Sequence, residues 1–155
     1  MRGKKAPRRK VKADTQYQNA NVARLVNKLM RDGKKSVAQK VVYDCFALIK
    51  EKTKQDPLEI FDGALKNVTP LVEVKGRRIG GANYQIPIPV KGDRKLTLAL
   101  RWILDASRTR KGKPMREKLA MEILDAYKNE GSAIKKRADV QRMAEANRAF
   151  AHFAR

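Results

Sequence analysis

Between Pro70 and Asp93 the apolar residues recur at every second position, whereas on both sides of that stretch they recur every three to four positions. Val72 and Val74 alternate with Glu73 and Lys75, and Tyr84, Ile86, Ile88 and Val90 alternate with Gln85, Pro87 and Pro89. A period of 2 belongs to strands and one of 3.6 to helices. A chain that switches once and switches back therefore reads as a mainly α body with a protruding two-stranded β-hairpin inserted over residues 71–91. The turn is expected within Gly76-Arg77-Arg78-Ile79-Gly80-Gly81. Pro87 and Pro89 cannot donate ladder hydrogen bonds, which assigns their strand to an edge. A lone hairpin is marginal in water, so the arm is expected to move when free and to stiffen against a partner.

About six helices are predicted. The first carries Val22, Leu25, Val26, Leu29 and Met30 inward and stops at Asp32-Gly33. Ser36, with Gln39 three residues on, opens the second as a capping box. Its stripe is Val37, Val41, Val42, Cys45, Phe46, Leu48 and Ile49, ending near Thr53. Asp56-Pro57-Leu58-Glu59 combines an N-cap acceptor, proline at the first helical position and an acid in the first turn. Phe61, Ala64, Leu65 and Val68 continue this third helix up to Pro70. After Asp93 the inner positions are Leu96, Ala99, Leu100, Ile103 and Ala106, with Arg101 and Arg108 outside. The fifth helix turns Met115, Leu119, Ala120, Ile123, Leu124 and Tyr127 inward, and Ser132 caps the sixth, whose apolar positions are Ile134, Val140, Met143, Ala144 and Phe150. No repeat and no second core are evident, so residues 1–155 read as a single domain in one bundle. Residues 1–15 form a disordered basic tail, with order expected from about Asn19.

Charge narrows the partner. The 155 residues hold 37 Lys and Arg against 16 Asp and Glu, a net charge of +21. Such an excess repels itself and favours a dense polyanion nearby, most simply nucleic acid. There is no 18-residue apolar run, lipidation motif or secretory signal, so no membrane partner is expected. One cysteine (Cys45) and one histidine (His152) make neither a disulfide nor a Cys/His zinc site. A reducing, cytoplasmic, metal-free and cofactor-free protein is the frame.

Catalytic groups are equally scarce. His152 reads as a stacking or solvated residue, Cys45 as core and Trp102 as a packing anchor. Gly33-Lys34-Lys35-Ser36 lacks the upstream glycine and register of a phosphate-binding loop. The glycines from 76 to 81 fit neither a dinucleotide fingerprint nor an RNA-clamping loop. No pair of acids stands out in an apolar setting, so no catalytic residue is assigned and no enzyme is expected.

The cations, by contrast, are organised. They crowd the tail (Arg2, Lys4, Lys5, Arg8, Arg9, Lys10), the turn after the first helix, the hairpin and its exit, the loop Arg108 to Lys113, and the sixth helix. Ordinary surfaces intersperse both signs, whereas these clusters are nearly free of acid. Their scatter over a body with an arm suits folded RNA, read by shape and backbone, better than a duplex read by one recognition helix.

Val72-Glu73-Val74-Lys75-Gly76-Arg77-Arg78-Ile79-Gly80-Gly81 with Tyr84-Gln85-Ile86-Pro87 resembles the hairpin signature of the family of small-subunit ribosomal protein seven. Asp32 to Ser36, Leu100-Arg101-Trp102-Ile103, Lys135-Lys136-Arg137 and Met143 to Phe153 match it further, in order along nearly the whole chain. Departures lie before Tyr17, from Gly92 to Thr97 and after Phe153.

The resemblance implies binding to the 3′ major domain of small-subunit rRNA, nucleation of head assembly, and a hairpin near the exit-site tRNA and departing mRNA. It also implies small-subunit proteins nine and eleven as neighbours, a monomer within the ribosome, and repression of its own operon in some bacterial members. Matching position makes Lys34, Lys35, Ser36, Lys113, Met115, Lys135, Lys136, Arg137, Arg142 and Asn147 rRNA contacts. The basic tail residues, Arg94, Arg101, Arg108 and Arg110 join them on charge. Lys75, Arg77, Arg78, Gly80, Gly81 and Tyr84 form the hairpin surface near tRNA and mRNA. Deleting residues 2–12 is expected to lower RNA affinity and its salt dependence together while leaving the circular-dichroism helix signal unchanged. Undiminished affinity would make the tail incidental.

Overall fold

The computed structural model describes Gly3, Ala6 and residues 11–153. Its contacts divide the chain into two compact units, Met1–Val42 and Tyr43–Arg155. Among the described residues there are six α-helices, one closing 3-10 helix and one two-stranded sheet, in the expected order.

The first unit begins earlier than the basic block suggested. Asp14 is buried, and its carboxylate accepts from the backbone N–H groups of Gln16 and Tyr17 at 3.1 and 3.2 Å, fixing a turn ahead of Asn19. An Asx turn supplies local hydrogen bonds that charge counting does not register. Helix α1 (Ala20–Leu29) is capped by the Asn19 side chain, which accepts from Asn21 N–H at 2.7 Å. Its buried residues Val22, Leu25, Val26 and Leu29 keep the predicted spacing. Asp32 and Gly33 both take positive φ, 52° and 72°, turning the chain into α2 (Lys35–Thr53).

Helix α2 starts at Lys35, so Ser36 lies inside the first turn and is not the N-cap. The stripe is also displaced. Val37 is 58% exposed and Ala38 is buried, followed by Val42, Cys45, Phe46 and Ile49. Volume favoured the valine in a reading by residue type, but helical phase places 38, 42, 45, 46 and 49 on one side.

In the second unit, Asp56 caps α3 (Pro57–Val68) as expected, accepting from Leu58 N–H at 3.0 Å. The Phe46 and Phe61 rings meet at 5.5 Å, within the 4.5–7 Å range of favourable aromatic pairs. Helix α4 (Asp93–Thr109) touches α3, α5 (Met115–Tyr127) and α6 (Gly131–Ala146), which also touch one another. A helix with neighbours on several sides needs apolar residues around most of its circumference. Leu98, Ala99, Leu100, Trp102, Ile103, Leu104 and Ala106 are accordingly all buried. Asn67 of α3 donates to the Ala126 and Tyr127 carbonyls (3.0 and 2.9 Å), satisfying the C-terminal end of α5. Tyr127 is not inside but 45% exposed, its ring laid over α3 where a Cβ on Gly63 would stand only 2.7 Å away.

Strands β1 (Val72–Ile79) and β2 (Ala82–Pro89) pair antiparallel from Val72 opposite Pro89 to Ile79 opposite Ala82. The turn is only Gly80-Gly81, with φ of 56° and 90°, shorter than the six-residue region expected. Two successive positive φ values are the mark of a type I′ turn, which only glycine and a few polar residues enter at low cost. The predicted alternation is reversed in β1: Glu73 is buried, while Val72 and Val74 are only part-buried. Nor is the arm without support in the chain itself, since α6 packs on both strands and the 3-10 helix Arg148–Phe153 packs on β2.

Phe61→Ala is expected to cost about 3–5 kcal/mol, much of a total stability of about 5–15 kcal/mol. Urea denaturation measures it, and a loss under about 1 kcal/mol would remove the Phe46–Phe61 pair from the core.

Candidate nucleic-acid interface

The turn at Asp32-Gly33 leaves Lys34, Lys35 and Ser36 exposed at the start of α2. Lys34 N–H bonds to the Arg31 carbonyl at 2.9 Å and Lys35 N–H to the Gly33 carbonyl at 2.8 Å, so backbone geometry sets where both ammonium groups begin. The helix N-terminus adds partial positive charge of its own. Arg2, Lys4, Lys5, Arg8, Arg9 and Lys10 lie outside the described residues.

In the hairpin, strand alternation separates residues that are adjacent in sequence. Glu73, Lys75 and Arg77 share a face with their partners Ile88, Ile86 and Tyr84; Arg78, opposite Asn83, belongs to the other. Glu73 gathers Lys75 at 3.1 Å and Arg94 of the first turn of α4 at 2.8 Å. Burial alone would raise the Glu73 pKa. Hydrogen bonds from Arg94 and Lys75, with their charges, outweigh it and hold the carboxyl below its ordinary value. Arg77 donates to the Phe153 carbonyl at 2.9 Å, and Tyr84 packs against Phe150 at 5.0 Å and Phe153 at 6.3 Å. The 3-10 helix thus clasps one face of the arm, and Gly80 and Gly81 remain exposed at its tip. The His152 ring lies 3.9 Å from that of Phe153, tilted by 40°.

The loop between α4 and α5 is fixed at its base. Arg110 donates from Nε to Glu122 Oε2 at 2.9 Å, and its Nη2 reaches Glu122 and Asp125 together. Burial works to lower the Arg110 pKa, but the hydrogen bonds it donates to Asp125 and Glu122, with their charges, reverse this and raise it. Glu122 is fully buried, and its Oε1 accepts from Ala133 N–H at 2.9 Å in the first turn of α6. The cap of α6 therefore comes from α5, and Ser132 is not the capping residue; the position before the helix, Glu130, makes no side-chain cap. Removing one partner from a buried pair of this kind costs about 3–5 kcal/mol. Beyond this base, Lys113 is exposed, with its Nζ 3.6 Å from Met121 Sδ, and Met115 is half-buried.

Along α6, Lys135 and Lys136 are exposed. Arg137 turns inward to the Asn67 carbonyl, leaving its buried Nε without a partner among the described residues. Arg142 is 80% exposed beside Asp139 at 3.9 Å, and Arg108 lies 3.6 Å from Asp105. Such exposed pairs are weak and exchange readily for phosphate. Arg101 is exposed on α4. Asn147 closes α6 by donating its amide to the Met143 carbonyl at 2.8 Å, and there the α-helix gives way to the 3-10 helix. Met143, an expected inner position, is exposed instead.

Sequence reasoning missed Glu122. Its neighbours Leu119, Ala120 and Ile123 announced a buried side, but its partners lie 11 and 12 residues away in other elements. Among the described residues no group of three His, Cys, Asp or Glu could hold a metal, and no helix is long and apolar enough to cross a membrane. Burial of Cys45 raises its pKa, which keeps the thiol protonated and inert.

A helical body with an inserted, clasped hairpin and exposed cations on its arm, loop and last α-helix defines a basic scaffold suited to a polyanion. The comparisons name the branch. The family model described as ribosomal protein S7p/S5e matches residues 1–148. A protein of Thermotoga neapolitana called small ribosomal subunit protein uS7 is 57% identical over 153 residues, 99% of each chain. Proteins of the same name from Clostridium novyi and Dictyoglomus turgidum are 59% identical over 147 residues (95% of this chain, 94% of theirs) and 57% over 152 (98% and 97%). The chain belongs to the ribosomal protein S7p/S5e family, a family of ribosomal structural proteins and not of enzymes.

The lowered Glu73 pKa carries a pH dependence. Its ion pairs stabilise fully above the ordinary glutamate value of 4.5 and are lost as pH falls through the lower folded value. In thermal melts, wild type should exceed Glu73→Gln by a margin that holds at neutral pH and shrinks below 4.5. A margin unchanged down to pH 3 (about one unit under the usual carboxylate range) would mean these pairs add nothing to the fold.

Proposed function

We propose that this chain is a structural constituent of the small ribosomal subunit in the cytoplasm, where it binds the 3′ major domain of the rRNA and organises the head during assembly. The observation that carries this reading is family membership over nearly the full length, joined to exposed cations grouped on the α2 turn, the hairpin, the α4–α5 loop and α6. Phosphate contacts would position the body, and the cations carried by the hairpin, the α4–α5 loop and α6 would favour a folded RNA read by shape and backbone.

The hairpin has a division of labour in this reading. Lys75, Arg77 and Arg78 divide between rRNA and exit-site tRNA or departing mRNA, with the tip at Gly80-Gly81 on the tRNA and mRNA side. Support comes from the pairing register, which puts Arg77 and Arg78 on opposite faces of the ribbon. The neighbours are small-subunit proteins nine and eleven, the protein is a monomer within the ribosome, and repression of its own operon mRNA is a further role in this reading.

A filter-binding competition at moderate salt tests the reading, with the head-domain fragment of small-subunit rRNA set against scrambled RNA of equal length and duplex DNA. The expected preference for the fragment is about a thousandfold or more. Neutralising about ten phosphates predicts a log–log salt slope of roughly −7 to −9. Near-equal binding to all three would reduce the protein to a generic polycation.

A further inference from the structure

We propose that the buried Arg110–Glu122 joint is a positioning device that holds the basic α4–α5 loop and the first turns of α6 at one spacing, so that Lys111, Lys113, Lys135 and Lys136 meet an RNA surface as a unit. This rests on the RNA-binding reading above and gives it a mechanism of shape selection.

The geometry ties three elements through one carboxylate. Arg110, at the end of α4, grips Glu122 Oε2 in α5 at 2.9 Å, and Glu122 Oε1 accepts from Ala133 N–H in α6 at 2.9 Å. Asp125 holds the outer side of the same guanidinium, and the Glu130 N–H bonds to the Asp125 carbonyl at 2.8 Å across the α5–α6 connection. Gly131 has φ of 91°, and a Cβ there would stand 3.1 Å from Glu122 Oε1, so the approach depends on glycine. Lys111 and Lys113 stand one and three residues after Arg110, and Lys135 and Lys136 two and three residues after Ala133. Both pairs of cations thus begin at a fully buried acid. Arg110 itself was expected among the phosphate contacts. Its fork is already filled by two carboxylates, and a phosphate would have to displace both. A guanidinium holds two acids in a fixed plane, whereas an ammonium cannot. Cations spaced in advance of binding lose less freedom when they engage.

Electrostatics alone and positioning predict opposite signs, which makes the test decisive. Glu122→Gln and Asp125→Asn each remove a negative charge from a protein that binds a polyanion, so charge alone would tighten binding to every RNA. Arg110→Lys keeps the charge and loses the fork. Circular-dichroism melts establish that each variant is folded; filter binding then compares the rRNA head fragment with scrambled RNA. Positioning predicts about tenfold weaker binding to the fragment (one contact's worth of preorganisation), unchanged or tighter binding to scrambled RNA, and an unchanged salt slope. Should Glu122→Gln fail to fold, Asp125→Asn and Arg110→Lys, which leave Glu122 to cap α6, give the answer. Folded variants that bind the fragment as tightly as wild type overturn the joint's role while the RNA reading stands. A wild-type protein without preference for the fragment overturns the RNA reading, and the joint's role with it.

Discussion

Self-repulsion is the constraint under which this chain folds. With 37 basic residues and 16 acids, each acid removed from general surface use has a large effect on local balance. Several sit at joints between elements. Asp14 ties the turn before α1, Asp56 caps α3, Glu73 binds the hairpin to α4, and Glu122 with Asp125 locks the α4–α5 loop to α6. Cations near these points are partly neutralised from inside. Those left at the surface face outward with little internal competition, which concentrates the unbalanced charge on the turn, loop, arm and last α-helix.

The apolar part of the fold answers a different demand. Helix α4 is buried along most of its length and provides the surface on which α3, α5 and α6 converge. A core shared by α3, α4, α5 and α6 lets these helices carry charged residues on their far sides without exposing apolar area. Trp102 and Ser107 illustrate how closely this is adjusted. The indole is almost fully covered, and the buried hydroxyl donates to the Ile103 carbonyl at 2.7 Å, so it is not left unsatisfied.

Local signals were readable from the residues. The change of period at Pro70, the Asp56-Pro57-Leu58-Glu59 start of α3 and the spacing of Val22, Leu25, Val26 and Leu29 each depend on neighbours within a turn or two. The family signature in the hairpin was readable for the same reason. What escaped was set by distant partners. Glu122 is charged by type and buried only because Arg110 and the α6 backbone converge on it. Val37 and Ala38 exchange roles through helical phase, which a list of apolar residues does not resolve. Arg110 and Arg137 looked like any other cations of the clusters, yet their side chains are turned to carboxylates and to a carbonyl within the fold. The reversal of β1 follows from Glu73 meeting Arg94, 21 positions away.

The clasp on the hairpin has a consequence in time. Arg77 and its carbonyl partner are separated by 76 positions. At about 5–20 residues per second, the usual pace of synthesis, the arm waits roughly 3–13 s from the end of β2 at Pro89 to Phe153 for the segment that covers one of its faces. During that interval Tyr84 and Arg77 are open to chaperones or to nascent rRNA. The chain therefore passes through an unclasped stage in every round of production, and the order in which its own tail and its RNA arrive becomes a matter of rates.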